Sequence, residues 1–155
     1  MSLVIEPVVG EEAERLLPVL QEAEEGEERI RAVLRDPTSS AYVARLEDKV
    51  IGAAVVRWEE GATSELIYIA LDQNWRGRGY GKKLIRYLQE ELGRRKGEAL
   101  LVGTANAGLD NIAFYQKCGF RMYEVRRDFF NYIQPPISEN GIVLRDMIVF
   151  RYEPE

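Results

Sequence analysis

A chain of 155 residues, 46% of them hydrophobic, is long and apolar enough to bury one hydrophobic core, which argues against disorder. Its net charge of −5 argues against binding to a nucleic-acid backbone, which requires a basic face, and is compatible with cationic small molecules. The sequence contains no histidine, which excludes a Ser–His–Asp triad, a histidine-ligated zinc and a histidine base. Any proton transfer must therefore use Glu, Asp, Tyr, Lys, Cys or water.

The cellular setting is predicted from what the sequence lacks. The single cysteine, Cys118, cannot form an internal disulfide, as expected of a reducing compartment. The first residues have neither the basic start nor the small-residue cleavage site of a signal peptide. The longest apolar runs are far shorter than a bilayer span. We therefore expect a cytoplasmic protein with no membrane or nucleic-acid partner.

The first half of the chain predicts one strand, two helices and then three strands. Residues 3–9 read as a strand, and an acidic amphipathic helix over 11–25 follows, which Pro18 is expected to kink or reposition. A second helix over 27–36 ends before Pro37. The next strands cover residues 41–47, 49–59 and 63–71, the first two joined as a hairpin at Asp48.

The second half alternates helices with strands. Apolar residues recur at helical spacing from Leu84 to Leu92, and Gly93 or Gly97 is expected to end this helix. The remaining elements are a nearly continuously apolar strand (98–104), a short helix within 109–120 that Gly119 stops, and two strands (120–130 and 141–153) flanking a polar, proline-bearing connection (131–141).

The resulting order, β-α-α-β-β-β-α-β-α-β-β, predicts an α/β fold in which helices cover both faces of a mixed, twisted sheet. The helix that begins at Tyr80 should connect two parallel strands by a right-handed crossover. We find no linker, repeat or low-complexity tract, so a single domain over residues 1–155 is expected.

A glycine-rich, basic turn lies between the strand that ends at Leu71 and the helix that begins at Tyr80. We call residues 76–82, Arg-Gly-Arg-Gly-Tyr-Gly-Lys, the glycine elbow. Glycine in such a turn can serve the backbone alone. However, free N–H groups at a helix start, approached closely through glycine and flanked by arginine, also form an anion site. The P-loop and Rossmann patterns both fail here, since Lys83 follows Lys82 and Lys82 stands where a third glycine belongs.

The elbow resembles a known phosphate motif. Arg76-x-x-Gly79-x-Gly81 is similar to the Q/R-x-x-G-x-G/A pyrophosphate loop of the GNAT superfamily of acyl-CoA-dependent N-acyltransferases. Residues 111–120, "NIAFYQKCGF", resemble a second signature of that family, and the predicted element order is that of the GNAT fold. The resemblance covers nearly the whole chain. It implies acetyl-CoA as cosubstrate, no metal, and transfer of the acetyl group to an amine.

The resemblance also implies where the cosubstrate binds. The strand before the elbow is expected to splay from its neighbour so that its backbone pairs with the pantetheine arm. The family often has an asparagine seven residues before the tyrosine of the second signature. Gly108 occupies that position here, so Asn106 or Asn111 could serve instead, or could be only a cap. The implied cofactor-binding residues are Ile69, Ala70, Leu71, Arg76, Gly77, Arg78, Gly79, Tyr80, Gly81, Lys82, Asn106 and Asn111.

Two catalytic residues follow from the same resemblance. Tyr115 is expected to protonate the departing thiolate, and the alternative is a core aromatic beside Phe114. Glu65, six residues before Leu71, is expected to remove a proton from the amine through water, although it could be an exposed strand residue. Reserve bases are Glu59, Glu60 and Asp128, and candidates to line an acceptor pocket are Trp58, Trp75, Phe129, Phe130 and Tyr132.

Several functions remain compatible with the sequence. The favoured interpretation is direct transfer to a primary amine of a small molecule within a ternary complex. The alternatives are a protein N-terminal or lysine acetyltransferase and a non-catalytic acyl-CoA-binding module. An acyl-carrying role for Cys118 is disfavoured, because no histidine is available to activate the thiol. The acceptor, the acyl length and the oligomeric state, a homodimer included, are left open.

Overall fold

The computed structural model describes residues 2–23 and 26–155. Its helices and strands follow the chain in this order: β1 (Leu3–Val8), α1 (Glu11–Glu14), α2 (Leu17–Leu20), α3 (Glu27–Arg35), β2 (Ser39–Leu46), β3 (Lys49–Arg57), β4 (Thr63–Leu71), α4 (Tyr80–Arg94), β5 (Ala99–Ala105), α5 (Leu109–Lys117), β6 (Arg121–Arg126), β7 (Ser138–Glu139), β8 (Ile142–Val143) and β9 (Met147–Tyr152). A short 3-10 turn, Gln73–Trp75, precedes the glycine elbow.

Seven strands form one mixed sheet in the spatial order β1-β2-β3-β4-β5-β9-β6. Every neighbouring pair is antiparallel except β4 and β5, which are parallel and are connected through α4. The predicted parallel crossover is thereby confirmed. Parallel neighbours cannot be joined by a tight hairpin, so the chain must return from the end of β4 to the start of β5, and α4 makes this crossover along one face of the sheet.

Helices cover both faces, as the sequence predicted. On one face, α4 and α5 bury Leu84, Leu88 and Tyr115 against strand residues that include Leu66 and Phe150. We call it the α4/α5 face. On the other, α1, α2 and α3 bury a second cluster of Ala13, Leu16, Leu20 and Ile30 against β2 and β3. We call it the α1–α3 face. The central residues of β2 and β3 are buried because both faces of these strands are covered.

The predicted helix over residues 11–25 was wrong in its extent. The chain instead forms two four-residue helices, α1 and α2, separated at Arg15 and Leu16. Pro18 has no N–H to donate to the carbonyl of Glu14, and its ring suits only the first turn of a helix, which is where α2 places it. The end of the predicted helix, Glu24 and Glu25, lies outside the described residues.

The last two predicted strands are shorter than expected. β6 ends at Arg126 rather than at Phe130, and the segment predicted as one strand over 141–153 divides into β8 and β9. The connection predicted as irregular contains β7, which pairs with β8 in a small hairpin. A two-residue strand has too short a pattern to be read from sequence.

The ends of the two long helices follow local rules. α4 continues through Gly93 and ends in a Schellman motif in which Lys96, with φ of 56°, adopts the left-handed conformation. The N–H of Gly97 donates to the carbonyl of Leu92 at 3.0 Å. α5 ends as predicted at Gly119, whose φ is 92°. The elbow precedes α4, and the segment 111–120 lies mainly on α5, so both are positioned by helices of the α4/α5 face.

Candidate active site

The central feature of the site is a gap between β4 and β5. Ladder pairing between these strands covers only the first four residues of β4, Thr63–Leu66, opposite Ala99–Val102. A β-bulge follows at Ile67, since β3 pairs with Leu66 and then with Tyr68. Beyond the bulge, β5 pairs with β9 alone, and no described strand lies along the second edge of residues 67–71. The two strands therefore diverge in a V.

The predicted pantetheine residues lie along the open arm of this V. Ile69, Ala70 and Leu71 pair with β3 on one edge and face the gap with the other. Their side chains are buried or half-buried, so recognition from this arm would come from backbone groups. An unpaired strand edge is a ready template for an extended ligand that carries amide groups.

The glycine elbow lies at the end of this arm. Gly77 and Gly79 have φ of 75° and 85°, which favour glycine, and open space lies where a Cβ would stand on either residue. Gly79 is the N-cap of α4 and provides no side-chain cap. Hence the first N–H groups of α4 are left for an external partner, at the end of the helix where the dipole is positive.

Gly81 is glycine for a different reason. A Cβ on this residue would lie 3.3 Å from Cζ of Phe114 on α5. The absence of a side chain therefore lets the first turn of α4 pack closely against α5. This contact links the elbow directly to the helix that carries Tyr115.

The two arginines of the elbow already have partners in the structure. Arg76 donates from Nη2 to the carboxylate of Glu22 at 2.7 Å and from Nε to the carbonyl of Leu71 at 3.2 Å. The guanidinium of Arg78 lies 5.0 Å from the ring centre of Trp75. Tyr80 packs edge-on against the same ring, which makes it a structural support of the elbow. A role for these arginines in holding phosphate stays a prediction.

Tyr115 is buried in the cluster on the α4/α5 face. Its ring centre lies 5.4 Å from that of Phe114 and 5.8 Å from those of Phe120 and Phe150. Burial, and secondarily the nearby Cys118 thiol, raises the pKa of Tyr115 well above its ordinary value. No hydrogen-bond partner for its hydroxyl occurs among residues 2–23 and 26–155. The ring thus packs as a core aromatic while the hydroxyl stays uncommitted, and Ile69 belongs to the same cluster.

Glu65 lies just before the gap. It is exposed, sits opposite Leu101 of β5 and is separated from the bulge by Leu66. Because Leu66 packs on the α4/α5 face, the preceding residue points to the α1–α3 face. Its carboxylate is 3.9 Å from Nη1 of Arg57, a loose pairing that leaves the group open to water.

The three reserve carboxylates are less well placed. Glu59 and Glu60 lie before Thr63, at the end of β4 remote from the elbow. Asp128 is exposed, has φ of 59°, and donates its backbone N–H to the carboxylate of Asp146 at 2.9 Å. Of the acidic candidates on or before β4, Glu65 is therefore the nearest along the chain to the bulge at Ile67 where the gap begins.

The two asparagines have different surroundings. Asn106 accepts backbone N–H bonds from Arg145 and Asp146 and donates to the carbonyl of Val143, at 2.9, 3.1 and 3.1 Å. Its amide is thus largely committed within the protein. Asn111 is exposed in the first turn of α5, and it is the freer of the two to contact a ligand.

The aromatic candidates separate into two groups. Trp58 donates to the hydroxyl of Tyr42 at 2.9 Å beneath Arg95, and Trp75 supports the elbow, so both are packing residues. A second group of three mutually packed rings lies on the long connection between β6 and β9, residues 127–146, which we call the excursion. It consists of Phe129, Phe130 and Tyr132.

The excursion reaches the α1–α3 face. The guanidinium of Arg29, on α3, lies 4.9 Å from the ring centre of Tyr132. Phe129 and Tyr132 are 40% and 52% exposed, which leaves aromatic surface available to a ligand. The excursion therefore reaches α3 on the α1–α3 face, and the elbow lies beyond the end of the open arm of β4.

Other chemistries find less support in the described residues. Cys118 is half-buried, and burial raises the pKa of its thiol, which disfavours the nucleophilic thiolate. No group of three His, Cys, Asp or Glu side chains lies close enough to hold a metal within residues 2–23 and 26–155. Within the same ranges, no helix is both long and apolar enough to span a bilayer.

Sequence reasoning missed three features of this site. The bulge at Ile67 leaves no mark in an apolar strand, and the contact between Arg29 and Tyr132 joins two polar surface segments. Glu22 is one acid in a run of glutamates and reaches Arg76 across 54 residues of sequence. The sequence did single out Asn106, as a cofactor contact or a cap, but not its hydrogen bonds to the excursion.

A parallel strand pair that separates beside a glycine-rich helix start is the arrangement expected of a transferase that takes an extended, phosphate-bearing donor. Residues 8–120 match the model of the acetyltransferase (GNAT) family, and the chain belongs to that family and is an acetyltransferase. An uncharacterised N-acetyltransferase of Bacillus subtilis, YvbK, is 32% identical over 108 residues, which are 69% of this chain and 70% of YvbK.

Two solved structures extend the comparison to nearly the full length. The IAA acetyltransferase from Bacillus cereus is 35% identical with a TM-score of 0.87, over 98% of this chain and 99% of that one. A GNAT acetyltransferase from Elizabethkingia anophelis with acetyl-CoA bound is 27% identical with a TM-score of 0.84, over 97% of both chains. The predicted GNAT fold is thereby confirmed.

Proposed function

We propose that the protein, as one domain over residues 1–155, transfers an acetyl group from acetyl-CoA to a primary amine of a small molecule by direct transfer in a ternary complex. One observation carries the proposal: β4 leaves β5 on the side of the elbow, and the excursion that leads into β9, the partner strand of β5, reaches α3 on the α1–α3 face. Donor and acceptor can therefore approach the same point from opposite faces of the sheet.

The donor's position follows from the chemistry of the open arm. The pyrophosphate would accept hydrogen bonds from the first N–H groups of α4, with Gly77 and Gly79 allowing close approach. The pantetheine amides would pair with the free edge of Ile69–Leu71. In support, the Elizabethkingia anophelis relative holds acetyl-CoA in the same fold.

Starting from the ammonium form of the amine, the reaction removes two protons from nitrogen, one before the attack and one as the amide forms, and supplies one proton to sulfur. The amine nitrogen attacks the thioester carbonyl carbon, the C–N bond forms, and the C–S bond breaks as the thiolate departs. An alkylammonium has a pKa of about 10 and must first lose a proton, which Glu65 would accept through water. A backbone N–H of β4 beside the gap would stabilise the developing oxyanion.

Tyr115 would donate a hydrogen bond to the departing sulfur. Because burial raises its pKa, the phenol stays protonated throughout the neutral range and always has a hydrogen to offer. The same shift makes complete proton transfer to a thiolate of pKa about 8.5 unfavourable in energy. We therefore assign Tyr115 a hydrogen bond that strengthens as negative charge develops on the sulfur, and the thiolate takes its proton from water as it leaves the site.

A small acceptor suits the α1–α3 face better than a peptide. The contact of Tyr132 with Arg29 joins the excursion to α3 and so crosses the acceptor side, where a peptide would need an open groove. The exposed aromatic surface of Phe129 and Tyr132 favours an amine with an apolar or aromatic body. The net charge of −5 would also attract a cation over longer range.

Release of free thiol from acetyl-CoA, measured against a panel of primary amines and a panel of peptides, tests the proposal. The amine panel should span polyamines, arylalkylamines and amino acids, each with a blank that lacks acceptor. We expect turnover with amines well above the blank and above the peptides. Turnover with peptides alone would establish the protein acetyltransferase alternative. Binding of acetyl-CoA without turnover in either panel would contradict the proposed acceptor class.

A further inference from the structure

Asn106 is tied to the excursion through both its side chain and its backbone. Its Oδ1 accepts the N–H groups of Arg145 and Asp146, and its Nδ2 donates to the carbonyl of Val143. Its own N–H donates to the carbonyl of Asp146 at 2.9 Å. Four hydrogen bonds thus join one residue at the end of β5 to the segment that leads into β9.

The end of the excursion that follows β6 is held by Asp146, one of the residues bonded to Asn106. The carboxylate of Asp146 accepts the N–H of Asp128, the residue with φ of 59° at which the chain turns away from β6. The tip of the small hairpin is held as well, because Nδ2 of Asn140 donates to the carbonyl of Ala107 at 2.9 Å. The end before β9 and the tip therefore attach to two consecutive residues, Asn106 and Ala107, and the end after β6 attaches to Asp146, which Asn106 holds.

Asn106 and Ala107 also lie in the connection between β5 and α5. Ala107 is fully buried, and the N–H of Gly108, the N-cap of α5, donates to the carbonyl of Ala105 at 3.0 Å. The segment that carries Phe129, Phe130 and Tyr132 and the helix that carries Tyr115 are thus fixed to one short junction. A change at this junction would shift the acceptor side relative to Tyr115.

We infer that Asn106 is a positioning residue for the acceptor, and that it acts by holding the excursion against the end of β5. This inference rests on the proposed function, since it concerns which substrate the residue serves. A direct contact with the cofactor is disfavoured, because both lone pairs of Oδ1 are used and only one amide proton is left. Asn106 thus affects acceptor binding and leaves donor binding intact.

Asn106→Ala removes all three side-chain bonds and keeps the backbone bond, and Asn131→Ala is the matched control. Asn131 is an exposed asparagine of the excursion whose side chain has no hydrogen-bond partner in the described ranges. Hydrogen exchange of the whole protein, with and without acetyl-CoA, reports on the excursion directly. We expect Asn106→Ala to lower the protection of amides in residues 128–146 by about tenfold or more, with no such loss in the control.

Kinetics separate positioning from general destabilisation. With the amine of the panel that is turned over fastest, Asn106→Ala should raise KM for the amine at least about tenfold. The acetyl-CoA dissociation constant, measured by calorimetry, should change less than about twofold. Asn106→Asp keeps the two accepted bonds but turns a carboxylate oxygen towards the carbonyl of Val143, so it should resemble the alanine variant rather than restore function.

Three outcomes would overturn the inference. Unchanged protection of residues 128–146 in Asn106→Ala would show that the side chain does not hold the excursion. Weaker acetyl-CoA binding with an unchanged KM for the amine would assign Asn106 to the cofactor. Equal effects of Asn131→Ala would show that the loss of protection is not specific to the hydrogen bonds of Asn106. A wild-type protein that fails to bind acetyl-CoA would instead refute the proposed function, and the exchange result would still stand.

Discussion

The carboxylate of Glu22 lies 2.7 Å from the guanidinium of Arg76, so an acid from the α1–α3 side reaches into the glycine elbow. The ion pair is partly exposed and contributes little to the stability of the fold. Its electrostatic effect on a bound pyrophosphate is larger, because it cancels one of the positive charges of the elbow.

Glu22→Gln should therefore tighten acetyl-CoA binding by about two- to fivefold at low salt, since the elbow gains one positive charge. The gain should shrink in 0.5 M salt, where such interactions are screened. Calorimetric titration at both salt concentrations measures this, with Glu27→Gln, another ion-paired glutamate of this region, as the control. Weaker binding of acetyl-CoA to Glu22→Gln would mean that the ion pair instead holds the elbow in its binding conformation.

Gly79→Asp should abolish donor binding while the protein still folds. A side chain at φ of 85° costs about 1–2 kcal/mol, and the carboxylate would occupy the place of the pyrophosphate. Wild-type protein in acetyl-CoA at about 100 times the dissociation constant should gain roughly 2.7 kcal/mol, seen as a rise in Tm. The variant should show no such rise.

Gly93→Ala is the control for that experiment. Gly93 lies within α4 and also has open space at the Cβ position, so alanine there should stabilise the helix by up to about 1 kcal/mol. Its rise in Tm with acetyl-CoA should match that of the wild type. If Gly79→Asp retained the same rise, the phosphate would bind elsewhere.

Glu65→Gln should lower turnover most at neutral pH. At pH 7 nearly all of an alkylamine is protonated and needs a base, whereas near pH 9.5 a substantial fraction is already free. Turnover should fall at least about tenfold at pH 7 and much less at pH 9.5. Glu124→Gln, the same change on the exposed strand β6, should leave turnover unchanged at both pH values. Equal losses at both pH values in Glu65→Gln would rule out its role as base.

Tyr115→Phe should keep the fold and lose rate. The ring contacts are retained, and no partner of the hydroxyl is lost within the described structure, so the expected change in the free energy of unfolding is about 1 kcal/mol or less. Loss of help to the leaving thiolate should lower kcat at least about tenfold with an unchanged acetyl-CoA dissociation constant. Tyr152→Phe alters a half-buried tyrosine of the same cluster and should keep the wild-type rate. A folded, fully active Tyr115→Phe would show that another group serves the sulfur.

The raised pKa of Tyr115 also predicts alkaline behaviour. The phenol is neutral in both folded and unfolded protein below about pH 10, so its full contribution to stability is present there. Above that pH the unfolded chain ionises first, and the contribution is lost as pH rises towards the folded-state pKa. Urea unfolding should therefore show wild type losing more stability between pH 9 and 11 than Tyr115→Phe does. Parallel losses would contradict a raised pKa.

The elbow shows why part of this site could be predicted. Its glycines, its arginines and the start of α4 are contiguous in sequence, and each acts through local backbone geometry: Gly77 and Gly79 through positive φ, and the helix start through its free N–H groups. The stop at Gly119 is equally local. Such features depend on neighbours within a few residues, so sequence alone suffices to place them.

The role of Asn106 shows the opposite case. The sequence offered a cofactor contact or a cap, and the choice depends on Val143, Arg145 and Asp146, which lie 37 to 40 residues away. Nothing local to Asn106 distinguishes an amide that faces a ligand from one that faces another loop. The same holds for Arg76, whose partner Glu22 is 54 residues distant.

By itself, the sequence determined the order of the main strands and helices, the helical crossover and the glycine-rich turn that starts α4, because hydrophobic period and glycine geometry are short-range properties. The tertiary structure alone decided where β4 leaves β5, since the apolar residues of β4 would suit a fully paired strand equally well. It also decided that the excursion returns to α3 and is fastened at Asn106. These outcomes depend on hydrogen bonds between segments that are distant in sequence. A local sequence pattern does not predict which distant segments will pair.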